Sequence, residues 1–237
     1  MKRLLVLLAA AALPALAGGA PAASAATNEC RGLQVCVPIA GPWVVVPTTR
    51  AVPRPAVRFQ LSCPEGHVVG GLDAELTDRS IDISFAARLG SPVNPGISTE
   101  RSALFTALYT GTTARVASFR PHLGCIPRTG GGGRIPTALR AIFPPGAPTV
   151  RRVTTVRVQA GEARTIVRRC RPGERLVDGW HALVFRSGTP PTAEQVEGLS
   201  ASRAVRGNRV VASATGGFAL AAIRGLVQVG AVCARSR

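Results

Sequence analysis

Lysine is nearly absent from this chain of 237 residues: of its 29 basic residues only Lys2 is a lysine and the rest are arginine. Arg, Ala, Gly, Pro and Val all have GC-rich codons, so codon bias accounts for the preference and the choice of Arg says nothing about recognition. Acids are also scarce, 12 Asp and Glu in all, which leaves a formal charge of +17. Two Trp, one Tyr and seven Phe are too few to offer stacked rings along a basic groove, so nucleic acid is not the expected partner. After the first 25 positions no run of roughly eighteen apolar residues could span a bilayer. The 26 Gly and 19 Pro carry no triplet period, which excludes collagen. A hydrophobic content of 46% excludes a disordered polyelectrolyte. There is no Gly-x-Ser-x-Gly elbow, His-Glu-x-x-His pair, EF-hand loop or Cys-x-x-Cys. His67, His122 and His181 lie in different segments without a marked nucleophile, and His67 and His181 read as turn or surface residues. The expectation is a non-enzymatic protein that needs no cofactor.

What is present begins with a leader. Lys2 and Arg3 are followed by an apolar stretch over 4–13 and by Ala23-Ser24-Ala25, the pattern of a secretory signal peptide cut after Ala25. Residues 1–25 are therefore expected to be removed, leaving 237 − 25 = 212 residues with charge 27 − 12 = +15. The expected location is extracellular, with the protein either released or held non-covalently at the cell envelope.

All six cysteines, Cys30, Cys36, Cys63, Cys125, Cys170 and Cys233, lie beyond the leader. An even count in an exported chain reads as disulfides, which would leave no thiolate for zinc or catalysis. Cys63 to Cys125 spans 62 positions and Cys170 to Cys233 spans 63. Each opening cysteine ends an alternating segment and begins a similar phrase: Cys63-Pro64-Glu65-Gly66-His67-Val68-Val69-Gly70-Gly71, then Cys170-Arg171-Pro172-Gly173-Glu174-Arg175-Leu176-Val177-Asp178-Gly179. With one inserted residue, a turn glycine, a valine and a closing glycine coincide. Spacing favours Cys63–Cys125, Cys170–Cys233 and a local Cys30–Cys36 loop; a single domain with bridges between its halves is the alternative. The phrase Cys-Pro-x-Gly-x-x-Val-x-Gly-Gly, closed by a cysteine some sixty residues on, resembles disulfide-closed β-sandwich modules of secreted proteins from GC-rich bacteria. That resemblance implies a fold class and no activity.

Alternation in 81–89 and apolar segments at 43–46, 57–63, 68–76, 104–109, 116–123, 153–158, 176–185, 210–214 and 227–233 read as strands between Gly and Pro turns. Only 192–199 has helical composition. The expected fold is all-β: two disulfide-closed β-sandwich modules in tandem, of Ig-like architecture with the topology left open, over 26–125 and 150–237. Between them 126–149, with Gly130-Gly131-Gly132-Gly133 and Pro144-Pro145-Gly146, reads as a linker. A turn at Ala160-Gly161-Glu162 is expected to fold 153–158 against 164–170 as a hairpin, bringing Arg157 near Arg164.

Charge is uneven. Residues 26–125 carry nine Arg against seven acids; residues 126–237 carry eighteen Arg against five. Eight of those eighteen are Arg151, Arg152, Arg157, Arg164, Arg168, Arg169, Arg171 and Arg175. They are the candidate site for a polyanion, an anionic cell-envelope polymer or a lipid surface. A second cluster, Asp73, Glu75, Asp78 and Asp82, carries the alternatives: a Ca²⁺ site or a carboxylate pair for glycan chemistry, against a solvated strand edge. A purely structural surface protein is a third reading.

Overall fold

The computed structural model describes residues 27–49, 51–86, 101–112, 116–128 and 149–235. The leader and positions 129–148 of the expected linker lie outside them. Among the described residues the chain forms β1 (Val37–Ala40), β2 (Trp43–Val46), β3 (Val57–Ser62), β4 (His67–Leu76), β5 (Ile81–Ala86), β6 (Ser102–Tyr109), β7 (Ala117–Pro127), β8 (Thr149–Val158), β9 (Ala163–Arg169), β10 (Glu174–Arg186), α1 (Ala193–Glu197), β11 (Leu199–Arg206), β12 (Arg209–Gly216) and β13 (Arg224–Arg235), with a 3-10 turn at Phe218–Ala222. This is a disulfide-stabilised, antiparallel all-β fold with almost no helix. The helical composition at 192–199 gives only α1, held by a capping box between Thr192 and Gln195.

The strands form three sheets. The largest has seven strands in the order β1-β7-β2-β10-β13-β8, with β4 paired to β7. β4 covers β7 from Phe119 to Pro127, so β1 and β2 lie end to end along its other side. The smaller sheets are β3-β6-β5 and β11-β12-β9. The two halves of the large sheet meet where Val44 and Trp43 of β2 pair with Val184 and Phe185 of β10.

That junction fixes where the cores lie. Neighbouring residues of a strand point to opposite faces. Val44 and Val184 pack with Phe59, Phe105 and Phe119 in one core; Trp43 and Phe185 pack with Ile166, Val210 and Val227 in the other. The first small sheet therefore covers one face of the large sheet and the second small sheet covers the opposite face. β13 has neighbours on both faces, which explains its nearly unbroken burial from Gly225 to Ala234.

One polar residue sits in this arrangement. Gln228 of β13 is 2% exposed. Its amide donates to Gln60 O at 3.0 Å and to Thr155 Oγ1 at 3.2 Å, and its Oε1 accepts from Gln60 N–H at 2.7 Å. It thus completes the backbone bonding of β3, a first-half strand, from the second half.

The disulfides are Cys30–Cys36, Cys63–Cys125 and Cys170–Cys233. Each long bridge ties the residue after a small-sheet strand, β3 or β9, to a large-sheet strand, β7 or β13. The two opening phrases also share geometry: Gly66 and Gly173, three residues after their cysteines, have φ of +75° and +77°. A register shift follows between Val69 and Gly71 in β4 and between Leu176 and Asp178 in β10. The extra residue is seventh after the cysteine in both phrases (70 − 63 = 177 − 170 = 7), so the two copies superpose without the insertion inferred from sequence.

The expected hairpin of 153–158 on 164–170 does not form. β8 pairs with β13, and β9 pairs with β12 in another sheet. Val158 and Ile166 belong to the same core, and the turn at Gly161 (φ +73°) carries the chain from one layer to the next.

Two predictions follow from loop entropy and polar burial. Removing Cys63–Cys125 or Cys170–Cys233 by paired Ala substitution should cost about 4 kcal/mol, against about 2 kcal/mol for Cys30–Cys36, in denaturant titrations. Gln228→Leu should cost about 2 kcal/mol in the same assay, because it leaves the Gln60 N–H and C=O without partners.

Candidate anion-binding face

The eight arginines of the basic stretch do not form one site. Arg152 makes a two-pronged contact with Glu174, Nε to Oε2 at 3.1 Å and Nη2 to Oε1 at 2.6 Å, with both side chains largely covered. Arg164 is ion-paired to Glu162 two residues earlier, and its cross-strand neighbour is Ala214 rather than Arg157. Arg168 donates to Val153 O at 2.7 Å and Arg151 to Ala86 O at 3.1 Å. Arg151, Arg152 and Arg168 thus tie strands together, and Arg164 braces the turn before β9. Arg157, Arg169, Arg171 and Arg175 are exposed.

Register gives Arg169 company that spacing along the chain conceals. It lies directly opposite Arg209 on β12, and Arg209 lies directly opposite Arg206 on β11. Val210 and Ile166 point into the core, so this row of three guanidinium groups crosses the outer face of the small sheet. Adjacent strands lie about 4.8 Å apart. Like charges facing one another across strands destabilise a sheet, and among the described residues no carboxylate pairs with these three.

The row borders a shallow hollow of about 410 Å³ lined by Arg169, Cys170, Arg206, Gly207, Asn208 and Arg209. The turn that shapes it is fixed. Gly207 has φ +55°; Asn208 Nδ2 donates to Glu174 O at 2.6 Å, and Cys170 N–H donates to Asn208 O at 3.1 Å. Glu174 also accepts the Arg171 N–H at 2.8 Å. The disulfide, the Arg152–Glu174 pair and the Asn208 bonds thus hold the sheet end that carries the row.

The acids at 73–82 are dispersed. Asp73 accepts from Asn28 N–H at 2.6 Å and Ala74 N–H at 2.7 Å. Glu75 lies 3.8 Å from Arg120 Nη1 and 3.8 Å from His122 Nε2. Asp78 caps its own turn through Ser80 N–H at 2.8 Å and accepts from Tyr109 Oη at 3.2 Å. Asp82 is exposed on β5 opposite Leu108. No three of their oxygens gather as one ligand set. The set that does converge, Cys170, Glu174 and Cys233, has both sulfurs in a disulfide and offers no thiolate.

His122 was not singled out from sequence, and it is 6% exposed between Glu29 (3.7 Å) and Glu75 (3.8 Å). The carbonyl of Glu29 presses on Gly71 and Gly124, where any Cβ would collide with it. This contact is the physical use of the last glycine in the first Val-Gly-Gly phrase. His67 begins β4 and its Nδ1 lies 3.0 Å from Glu65 O; His181 is half-buried in β10.

Family models, curated proteins and solved structures yield no match to this chain. The resemblance carried by the cysteine phrase is therefore met at the level of a disulfide-stabilised all-β fold.

Bonds to the Gln159 N–H and to Arg164 hold Glu162 below the ordinary glutamate value of 4.5, and bonds to Arg152 and the Arg171 N–H do the same for Glu174. Depressed carboxylate values contribute stability above about pH 4.5 that is lost as pH falls through the lowered folded-state values. Thermal melts should drop in that acid range, and Glu174→Gln should lower the neutral-pH melt while flattening its acid dependence.

Proposed function

We propose that this chain is an exported, non-enzymatic protein of two β-sandwich modules, retained at the cell envelope by anionic polymer or lipid bound to Arg169, Arg206 and Arg209. The observation that carries this reading is the row itself. Three cations in direct cross-strand register raise the energy of the folded sheet, and a polyanion laid across the strands lowers it by supplying charge-assisted hydrogen bonds. Arg171 and Arg175, exposed on the adjoining segment, extend the positive field. The matching phrases, bulges and disulfides of the two halves support the tandem-module reading, and the leader supports export.

The basic stretch of the sequence thus divides. Arg152, Arg164 and Arg168 serve the fold, Arg169 serves the ligand, and the ligand's other contacts come from β11 and β12. A calcium-dependent or glycan-active enzyme at Asp73, Glu75, Asp78 and Asp82 draws no support from an arrangement in which the first three are committed to separate structural bonds and Asp82 stands apart on β5.

Co-sedimentation with cell envelopes and with phosphatidylglycerol vesicles, at low and high salt, tests the proposal. Binding at low salt should be lost at high salt, and the triple variant Arg169→Gln, Arg206→Gln, Arg209→Gln should weaken it more than about tenfold. Arg157→Gln, also exposed but outside the row, should change it little. Equal losses for the row and for a triple variant of scattered arginines would reduce the effect to net charge and overturn the site.

A further inference from the structure

Among the described residues only two backbone pairs, Val44 with Val184 and Trp43 with Phe185, join the halves within the large sheet, and beyond them a cleft opens. β2 continues to pair with β7 through Val45 and Val46, but it leaves β10 after Val44. The space between the diverging strands is about 430 Å³, within the range of small-molecule sites, which favour junctions of this kind. Its apolar walls come from Val45, Pro47, Pro55, Val57 and Leu183, from both halves of the chain.

The charges around it do not cancel. Arg58 and Asp178, both on the lining, are ion-paired to each other. Arg203 of β11 also lines the cleft, is exposed, and has no carboxylate partner among the described residues. His181 adds no second cation at neutral pH: burial first, and then the charge of Arg203, hold its ring below the usual imidazole range, against the opposing effect of a bond to the Ala201 backbone. The lining therefore carries one net positive charge beside apolar walls. Trp180 contributes a further signal. It lines the cleft at 4% exposure, and its indole N–H finds no acceptor among the described residues. A buried donor left in that condition costs free energy.

We propose that this cleft is a binding site for a small amphipathic carboxylate, with its apolar body between Val45, Pro47, Val57 and Leu183 and its carboxylate on Arg203. One negative charge balances the lining, and a compact hydrocarbon body fills the rest. The site is separate from the arginine row, which lies on the outer face of β9, β11 and β12.

Octanoate, octanol and octylamine are suitable probes, because they share a body and differ in charge. With the three disulfides intact, calorimetry should show saturable binding of octanoate at one site, with affinity at least about tenfold above octanol and no binding of octylamine. Arg203→Gln should lower octanoate affinity about tenfold without moving the thermal melt, since the residue is exposed and has no carboxylate partner among the described residues. The triple variant of Arg169, Arg206 and Arg209 should bind octanoate unchanged. The chain has only two Trp residues, so Trp43→Phe leaves Trp180 as the sole indole, and its fluorescence should follow the same titration. Octanol binding as tightly as octanoate, an unaltered Arg203→Gln titration, or no saturable binding would each overturn the site. Octanoate binding lost only in the row variant would assign it to the outer face instead.

Discussion

Two backbone pairings, Val44 with Val184 and Trp43 with Phe185, turn the strands of two halves into one sheet, and most of the molecule is arranged around them. A strand cannot put neighbouring side chains on the same face. Once β2 and β10 are joined, Val44 and Val184 commit one face to the first small sheet, and Trp43 and Phe185 commit the other face to the second. The long disulfides then tie each small sheet to the large one. Gln228 secures the crossing point by completing the backbone bonds of Gln60 from across the boundary. The cleft lined by Trp180 and Arg203 lies at the same junction, where β2 stays with β7 and leaves β10 after Val44.

The edges that meet inside differ from their counterparts outside. Val44 faces Phe119, six residues before Cys125 (125 − 119 = 6), and Val156 of β8 faces Val227, six before Cys233 (233 − 227 = 6). β8 therefore presents at the rim of the sheet the edge that β2 presents to β10. Its rim is guarded: Arg151 and Arg157 flank the matching stretch, and Arg168 occupies the Val153 carbonyl. At the opposite rim, Thr77 lies fourteen residues after Cys63, as Val184 lies after Cys170 (77 − 63 = 184 − 170 = 14), and there the chain turns away at Asp78. Exposed strand edges invite pairing with other chains, and charge and early termination are standard ways of discouraging it. The apolar stretch Trp43-Val44-Val45-Val46 is kept for the internal seam.

Much of the fold was legible because burial has a period. Val210, Ala212 and Ala214 alternate with more exposed neighbours, and the segments before Cys63 and Cys233 place the cysteine on the apolar face. β11 escaped notice because most of it is exposed, so no apolar period marks Ser200 to Arg206. The β8–β9 hairpin was misread because a glycine turn reports a change of direction and not whether the next strand rejoins the same sheet. The candidate site failed to show for a related reason. Arg169 stands forty residues from Arg209 (209 − 169 = 40), and only the register of β12 between β9 and β11 brings three arginines into line. His122 likewise needed the Glu29 segment to fold back over Gly71 and Gly124.

Register also separates composition from function. Codon bias decides that a basic residue will be arginine; it does not decide which residue faces it on the next strand. Arg152, Arg164 and Arg168 each found a carboxylate or a carbonyl within the protein. Arg169, Arg206 and Arg209 face one another, on a sheet end held by a disulfide, by Glu174 and by the Asn208 turn. A flexible surface would let such groups drift apart and relieve their repulsion. Here the backbone holds their Cα positions in register, so the strands themselves cannot move the three charges apart.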